Sequence, residues 1–472
     1  MVIARKIAYN VLVSSVSKIL STILALVAIG FITRYLGAGG FGNYATVLAF
    51  LAFFSAIADL GLNSVSTREI SRPGANESRI MGNIFAFRIS ISLLVLFLSP
   101  AIVWFFPYPT EVKQAIMIVA ASFLFSSSYQ VLNGVFQKNL AMDKVAFAEL
   151  IGKIVQVLLI ILAIHLKLGF LWIISSLLFC MIVNFILVYS LSKKYISFKL
   201  EFDWQYWKNF LRQSYPIGIA ACITFIYFKI DTIMLSVMKT SAEVGLYNAA
   251  YKVIENISFF PAMIVGLIFP IMSQNIFSDR KKFADVSNKT YKIFWILTVP
   301  LVVGTLFLSE GIISLIGGRE FLEAAPALRI LVFALAFIFF GNFLNAILIA
   351  GNKQKKMLLI ATIAAVFNFT ANLFFISRYS YLGAAIVSLA TEILVVAGAY
   401  YFIAKEIKYF PAEKNIGKIL IAGMIMAASL FFFRNINFLL AGCLGVLVYL
   451  ISLWIFKAVK TEELASIISK SR

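Results

Sequence analysis

Charge is scarce in this chain. Asp, Glu, Lys and Arg together make up 13% of its 472 residues, where a soluble domain carries about a quarter. That shortage leaves too little polar material for a globular catalytic domain. Metal-binding and redox side chains are scarcer still. There is one histidine, His165, and the three cysteines, Cys180, Cys222 and Cys443, fall inside apolar runs without CxxC spacing. Zinc and redox sites need such residues in closely spaced pairs, so all four read as packing or interface residues, with no metal site. No GxxxxGK[ST] loop occurs, and no loop is long enough for a nucleotide-binding domain. Any transport must therefore run on an ion gradient, the membrane potential or consumption of product.

What the chain does have is apolar length. Hydrophobic residues make up 62% of it and the mean hydropathy is +0.95. A spanning helix needs roughly 20 apolar residues, which predicts an all-α polytopic membrane protein. Fourteen candidate spans begin near residues 7, 41, 81, 114, 146, 170, 213, 245, 290, 327, 357, 383, 417 and 437. The first run, residues 7 to 33, follows Arg5 and Lys6. It is too long for a signal-peptide core and lacks a small-residue cleavage site, so an uncleaved first helix is expected.

The 41 basic and 21 acidic residues leave a net charge of +20. In a soluble protein such a surplus points to nucleic acid; in a membrane protein it marks cytoplasmic loops. Position decides against a nucleic-acid partner. With the N-terminus inside, the inner segments hold clusters such as Arg68, Arg72 and Arg79, then Lys193, Lys194, Lys199, Lys208 and Arg212, then Lys353, Lys355 and Lys356. Each outer loop holds one basic residue: Arg34, Lys113, Lys167, Lys239, Arg319, Arg378 and Arg434. Both termini are expected in the cytoplasm of a cell-membrane protein.

The chain also repeats itself weakly. Gly42-x-Tyr44 aligns with Gly245-x-Tyr247, and Leu132-Asn133-Gly134 aligns with Leu344-Asn345-Ala346. Both matches relate helices 1 to 6 with helices 7 to 12 in the same membrane orientation, a parallel pseudo-repeat of the kind that builds transporters around a central path. The expected organisation is a six-helix bundle over 1–190, a cytoplasmic interfacial linker over 191–212, a second six-helix bundle over 213–404, and helices 13 and 14 with a tail over 405–472. The linker mixes basic residues with Phe202, Trp204, Tyr206 and Trp207, an interfacial composition.

A charge at a helix centre costs about 2.5 to 3.5 kcal/mol, so such residues normally face a cavity or a partner. Glu149 and Lys153, one turn apart, and Arg329, near an outer end, are explained by pairing and snorkelling. In the first helix Asn10, Ser14, Ser17, Lys18 and Ser21 share one face; in the second, Ser55, Asp59, Asn63 and Ser66 do. The eighth carries Asn248, Tyr251, Lys252, Glu255 and Asn256 on one face, where Lys252 and Glu255 can pair. Lys229 and Asp231, two apart in the seventh, point to different faces. Lys18, Arg88, Lys229 and Lys252 are candidate ligands for a phosphate-bearing cargo. Asp59, Asp231, Glu255 and Glu392 are candidates to balance them or to carry a proton or sodium ion; no other cofactor is implied.

With these residues in place, the chain resembles the polysaccharide transporters of the multidrug/oligosaccharidyl-lipid/polysaccharide exporter superfamily, the Wzx-type flippases for lipid-linked oligosaccharides. The resemblance covers nearly the whole length and is carried by RYLGAGGFGNYA (34–45), ADLGLNSVSTREI (58–70), KIDTIMLSVMKTSAEVGLYNAAYKV (229–253), FPIMS (269–273), GREFLEAA (318–325), LNAILIAGNK (344–353) and NLFFISRYSYLGAAIVSLATE (372–392). It implies two six-helix bundles forming a V-shaped cleft, two further C-terminal helices, and movement of a polyprenyl-phosphate or pyrophosphate glycan from the cytoplasmic to the outer leaflet. Asp59 and Asp231 stand where that family has recurrent acidic residues. The lipid-linked glycan, membrane lipids, and a polysaccharide polymerase or glycosyltransferases are the implied partners. The rival readings are a lipid II-type flippase, a cation-coupled multidrug exporter of the same superfamily and, more distantly, a membrane glycosyltransferase or polymerase. Lys18 in the first helix, where cation-coupled exporters commonly carry an acid, favours an anionic cargo.

Overall fold

In hydrocarbon a lone segment can satisfy its own backbone only as a helix, and the regular elements among the described residues are all helical. The computed structural model describes residues 2–59, 62–72 and 74–458, apart from the side chains of residues 2–9, 11, 12, 15, 57, 59, 63, 64, 216, 217 and 221. Eleven helices among them are long and apolar enough to cross a membrane.

The first helix, α1 (Val2–Asp59), has 58 residues, about 87 Å at 1.5 Å per residue, against a hydrocarbon core of about 30 Å. A break is required. It falls at Gly37, with φ 66° and ψ −177°, a conformation glycine adopts without a Cβ penalty. The remaining elements of the first half are α2 (Leu62–Ile70), α3 (Glu77–Trp104), α4 (Thr110–Lys138), α5 (Met142–His165), α6 (Phe170–Ser192), α7 (Trp204–Met238) and the start of α8 (Ser241–Ile257). Then come α9 (Phe259–Ser278), α10 (Arg280–Gly317), a 3₁₀ turn (Arg319–Ala324), α11 (Ala325–Ala350), α12 (Gln354–Phe402), a π-helical turn (Ile403–Ile407), α13 (Ile416–Phe432) and α14 (Phe438–Ile455). The 49-residue α12 is likewise broken, at Ser380 with φ 52° and ψ −134°. Next to that break, a Cβ on Gly383 would meet the Phe375 carbonyl oxygen.

The chain divides into two compact units, residues 1–245 and 246–472. In the first, α4 is the central helix, packed against α1, α2, α3 and α6, while α7 packs on α1. Its core joins Leu62, Val65, Met81, Ile84, Leu132, Phe136, Val188 and Phe210. In the second, α11 packs against α9, α10 and α12. The α13–α14 hairpin docks on α10 through Val299, Met426, Leu430, Tyr449 and Leu453, and the Tyr449 hydroxyl donates to the Ile296 carbonyl at 3.0 Å.

Two local arrangements explain where glycine and asparagine stand. The first is a close approach within the first unit: a Cβ on Gly42 would meet the Ser241 carbonyl, and one on Gly245 would meet the Ala38 carbonyl. Each glycine thus faces the carbonyl four residues before the other, so the paired glycines of the sequence repeat pack reciprocally. The second is a clamp on the segment between α6 and α7. Residues 196–203, outside any helix, cross the start of α3, where a Cβ on Gly82 would meet the Lys199 carbonyl. The fully buried Asn83 accepts the Asp203 amide at 2.9 Å, donates to Glu201 Oε2 at 3.0 Å, and its carbonyl accepts Trp207 Nε1 at 3.1 Å. Asp203 in turn accepts the Tyr206 amide at 3.0 Å, which is why α7 starts at Trp204, several residues ahead of the apolar run. The Tyr206 amide first, and then Arg79 at 3.1 Å, hold the Asp203 carboxyl below the usual carboxylate range.

Asn83→Ala should lower stability by about 1–3 kcal/mol, the usual cost of stranding buried hydrogen-bonding groups, and expose residues 193–203 to protease. Unchanged melting and cleavage in detergent would show that this segment is held by other means. Because the Asp203 pKa is lowered on folding, its contribution is full above the ordinary carboxylate range and fades as pH falls through the lowered value. Gly42→Ala should lower the melting temperature, whereas Gly39→Ala, with nothing within 4 Å of the new Cβ, should leave it level or raise it through helix propensity.

Candidate functional site

Charged side chains inside these helices are held in specific places. Arg88 of α3 is 1% exposed, and its Nη1 donates to the Ala58 carbonyl at 2.9 Å, fastening α3 to the end of α1. Asp59 follows in the chain; its side chain lies outside the described residues. On α7, Lys229 is half-buried and Asp231 is buried, accepting the Thr232 amide at 2.8 Å. Lys18 is exposed on α1, within electrostatic reach of Glu149 on α5.

The second unit carries the other candidates. Lys252 Nζ and Glu255 Oε2 are 2.6 Å apart, one turn apart on α8. The Tyr247 and Ser388 hydroxyls, 3.2 Å apart, join α8 to α12. Glu392, 6% exposed, follows Thr391, whose hydroxyl accepts Asn368 Nδ2 at 3.2 Å; Asn372 Nδ2 donates to Asn368 Oδ1 at 3.0 Å. This polar ladder links the two parts of α12 on either side of Ser380. Sequence reading had found Glu392 but not the two asparagines, because a search for buried charge passes over amides. Arg329 donates to Ser309 Oγ at 2.7 Å and to Glu310 at 2.8 Å, which accounts for it structurally. The cysteines are free thiols, buried at Cys180, half-buried at Cys222 and exposed at Cys443.

The first unit also holds a cavity of about 560 Å³ between the end of α2, α4 and the start of α5, lined by Thr67, Tyr129, Gln130, Asn133, Gly134, Gln137, Met142 and Glu149. Glu149, read from sequence as neutralised by a neighbouring lysine, thus faces an opening; Lys153 Nζ donates to Gln156 Oε1 at 2.9 Å. Gln130, Asn133 and Gln137 stand at i, i+3 and i+7 of α4, so one helical face carries three amides. That periodicity was readable in the sequence. A second cavity, of about 510 Å³ in the second unit, touches Arg280, Lys353 and Glu406, but Lys353 and Glu406 are already joined at 2.6 Å.

With this geometry in view, the comparisons place the chain in a class. The family model described as "Polysaccharide biosynthesis protein" matches residues 7–276, and a second, described as MatE, matches residues 216–374. The chain belongs to the polysaccharide biosynthesis protein family, and it is a multi-pass membrane protein. It is 24% identical to the "Probable low-salt glycan biosynthesis flippase Agl15" of Haloferax volcanii, over 88% of this chain and 87% of that one. It is 23% identical to the "Putative O-antigen transporter" of Salmonella typhi, over 78% and 89%. Among solved structures, the fold matches a lipid II flippase MurJ in an inward closed conformation with TM-score 0.78, at 19% identity, covering 94% of this chain and 98% of the other. It also matches an inward-facing multidrug resistance MATE family transporter with TM-score 0.64, at 15% identity, covering 85% and 99%.

Proposed function

We propose that this protein is a flippase that moves a polyprenyl-phosphate or pyrophosphate-linked oligosaccharide from the cytoplasmic to the outer leaflet by alternating access, for the synthesis of a cell-surface glycan. The observation that carries the reading is a set of basic side chains kept within apolar helices, Arg88, Lys229 and Lys252, in a chain whose family match spans residues 7–276. Charge in such places is costly unless it serves a cavity or a partner. An anionic headgroup attached to a lipid is a cargo that requires it. The polyprenyl tail stays in the bilayer while polar side chains replace the water lost by the phosphate and sugars. A lipid II-type flippase and a cation-coupled multidrug exporter share the fold, but the near full-length likeness to a glycan flippase favours the oligosaccharide reading.

The finer architecture belongs to the same proposal. Counting α1 and α12 as two spans each, because of Gly37 and Ser380, and adding the shorter apolar α13 to the helices long enough to cross, gives fourteen spans. Two six-helix bundles in parallel pseudo-repeat, over 1–190 and 213–404, are supported by the reciprocal packing of Gly42 and Gly245. The basic clusters at alternate helix ends support cytoplasmic termini and a place in the cell membrane. Asp59, Asp231, Glu255 and Glu392 are the groups proposed to couple transport to protons or sodium. Glycosyltransferases that build the lipid-linked glycan, or a polymerase that consumes it, are the proposed partners.

In vesicles reconstituted with lipid-linked glycans, Lys229→Ala and Lys252→Ala should each slow appearance of glycan on the far side at least tenfold with protein level unchanged. Wild-type rates in both variants would remove these residues from the cargo path. Asp231→Asn should flip at a rate that no longer responds to pH or sodium; a retained response assigns coupling elsewhere.

A further inference from the structure

The cavity of the first unit is lined differently from the basic set. It has three amides, Gln130, Asn133 and Gln137, two hydroxyls, Thr67 and Tyr129, and one carboxylate, Glu149. Among the described residues no lysine or arginine lines it, and the nearby Lys18 charge acts on Glu149, so the described lining has little net charge with which to hold a free ion of either sign. Asn133 Oδ1 is buried without a hydrogen-bond partner, and so is Oδ1 of Asn345, its counterpart in the sequence repeat. A buried carbonyl oxygen in that state calls for a donor. At about 560 Å³ the cavity lies within the roughly 300–1,000 Å³ of small-ligand sites.

From this lining we infer that the cavity is a sugar-binding subsite, one that takes an uncharged hexose or N-acetylhexosamine unit of the cargo through its hydroxyl and amide groups. The inference rests on the flippase reading and deepens it. Sugar hydroxyls donate and accept at once, which suits amides and a carboxylate arranged around a ring-sized opening. Among the described lining residues a phosphate would meet a carboxylate, Glu149, and no cation. The cavity lies between the last turns of α2 and α4 and the first turns of α5, the helix ends that carry Arg68, Lys138 and Lys144, where a headgroup arriving from the inner leaflet would be met.

The test is equilibrium binding to the purified full chain in detergent, with a panel of short-chain polyprenyl pyrophosphates carrying one glucose, galactose, N-acetylglucosamine or N-acetylgalactosamine, and the same lipid without sugar. At least one glycosylated probe should bind tenfold or more tightly than the bare lipid. Gln130→Ala and Asn133→Leu should bring that ratio close to one while leaving affinity for the bare lipid unchanged. Gln130 is the partly exposed position, so its variant keeps the test valid should Asn133→Leu fail to fold. If the bare lipid binds but no sugar adds affinity, or the variants keep the ratio, the subsite is overturned and the flippase reading stands. If neither bare nor glycosylated lipid binds, the flippase reading falls and takes the subsite with it.

Discussion

The cost of placing charge in hydrocarbon governs this molecule. It forces the chain into helices that satisfy their own backbone and pushes most basic residues to helix ends, where they fix orientation. The few charges left inside must then be held by something. Arg88 is held by the Ala58 carbonyl and Lys252 by Glu255. Because these partners are nearby groups of the same unit, the charged side chains are already oriented in the folded chain.

The same constraint explains the backbone irregularities. Where Gly37 and Ser380 break helices too long for a bilayer, the freed carbonyls and amides need protein neighbours rather than lipid. The absence of side chains at Gly42, Gly245 and Gly383 lets backbones approach that closely, as small residues do in membrane helix packing. Asn83 performs the equivalent task with hydrogen bonds, binding a segment between α6 and α7 that has no ladder of its own.

Much of this was legible in the sequence. Apolar length showed an all-helical chain with many membrane-spanning helices, since it is a one-dimensional signal imposed by the bilayer. The Lys252–Glu255 pair followed from helical spacing. The start of α7 did not, because Asp203 caps a helix whose first turns, WQYWKNFLRQ, are too polar for hydropathy to mark. The cavity beside Glu149 was missed for a similar reason. Amides are cheap enough to be common in membrane helices, and only the packing of α2, α4 and α5 distinguishes an amide that faces space from one that joins two helices.

On the proposed reading, the Lys252–Glu255 pair has a thermodynamic consequence. A lysine committed to a carboxylate at 2.6 Å can receive a phosphate only by exchanging partners, and the compact ammonium on its flexible stem is suited to that exchange, whereas the Arg88 guanidinium is fixed by its carbonyl. Exchange takes the Lys252 ammonium away from Glu255, and losing a close cation is expensive for a carboxylate in a partly buried place. A proton or sodium ion relieves that cost. Cargo binding at Lys252 then raises the affinity of Glu255 for a cation, and by reciprocity cation binding at Glu255 favours cargo at Lys252. On that reading one ion pair suffices to couple the two.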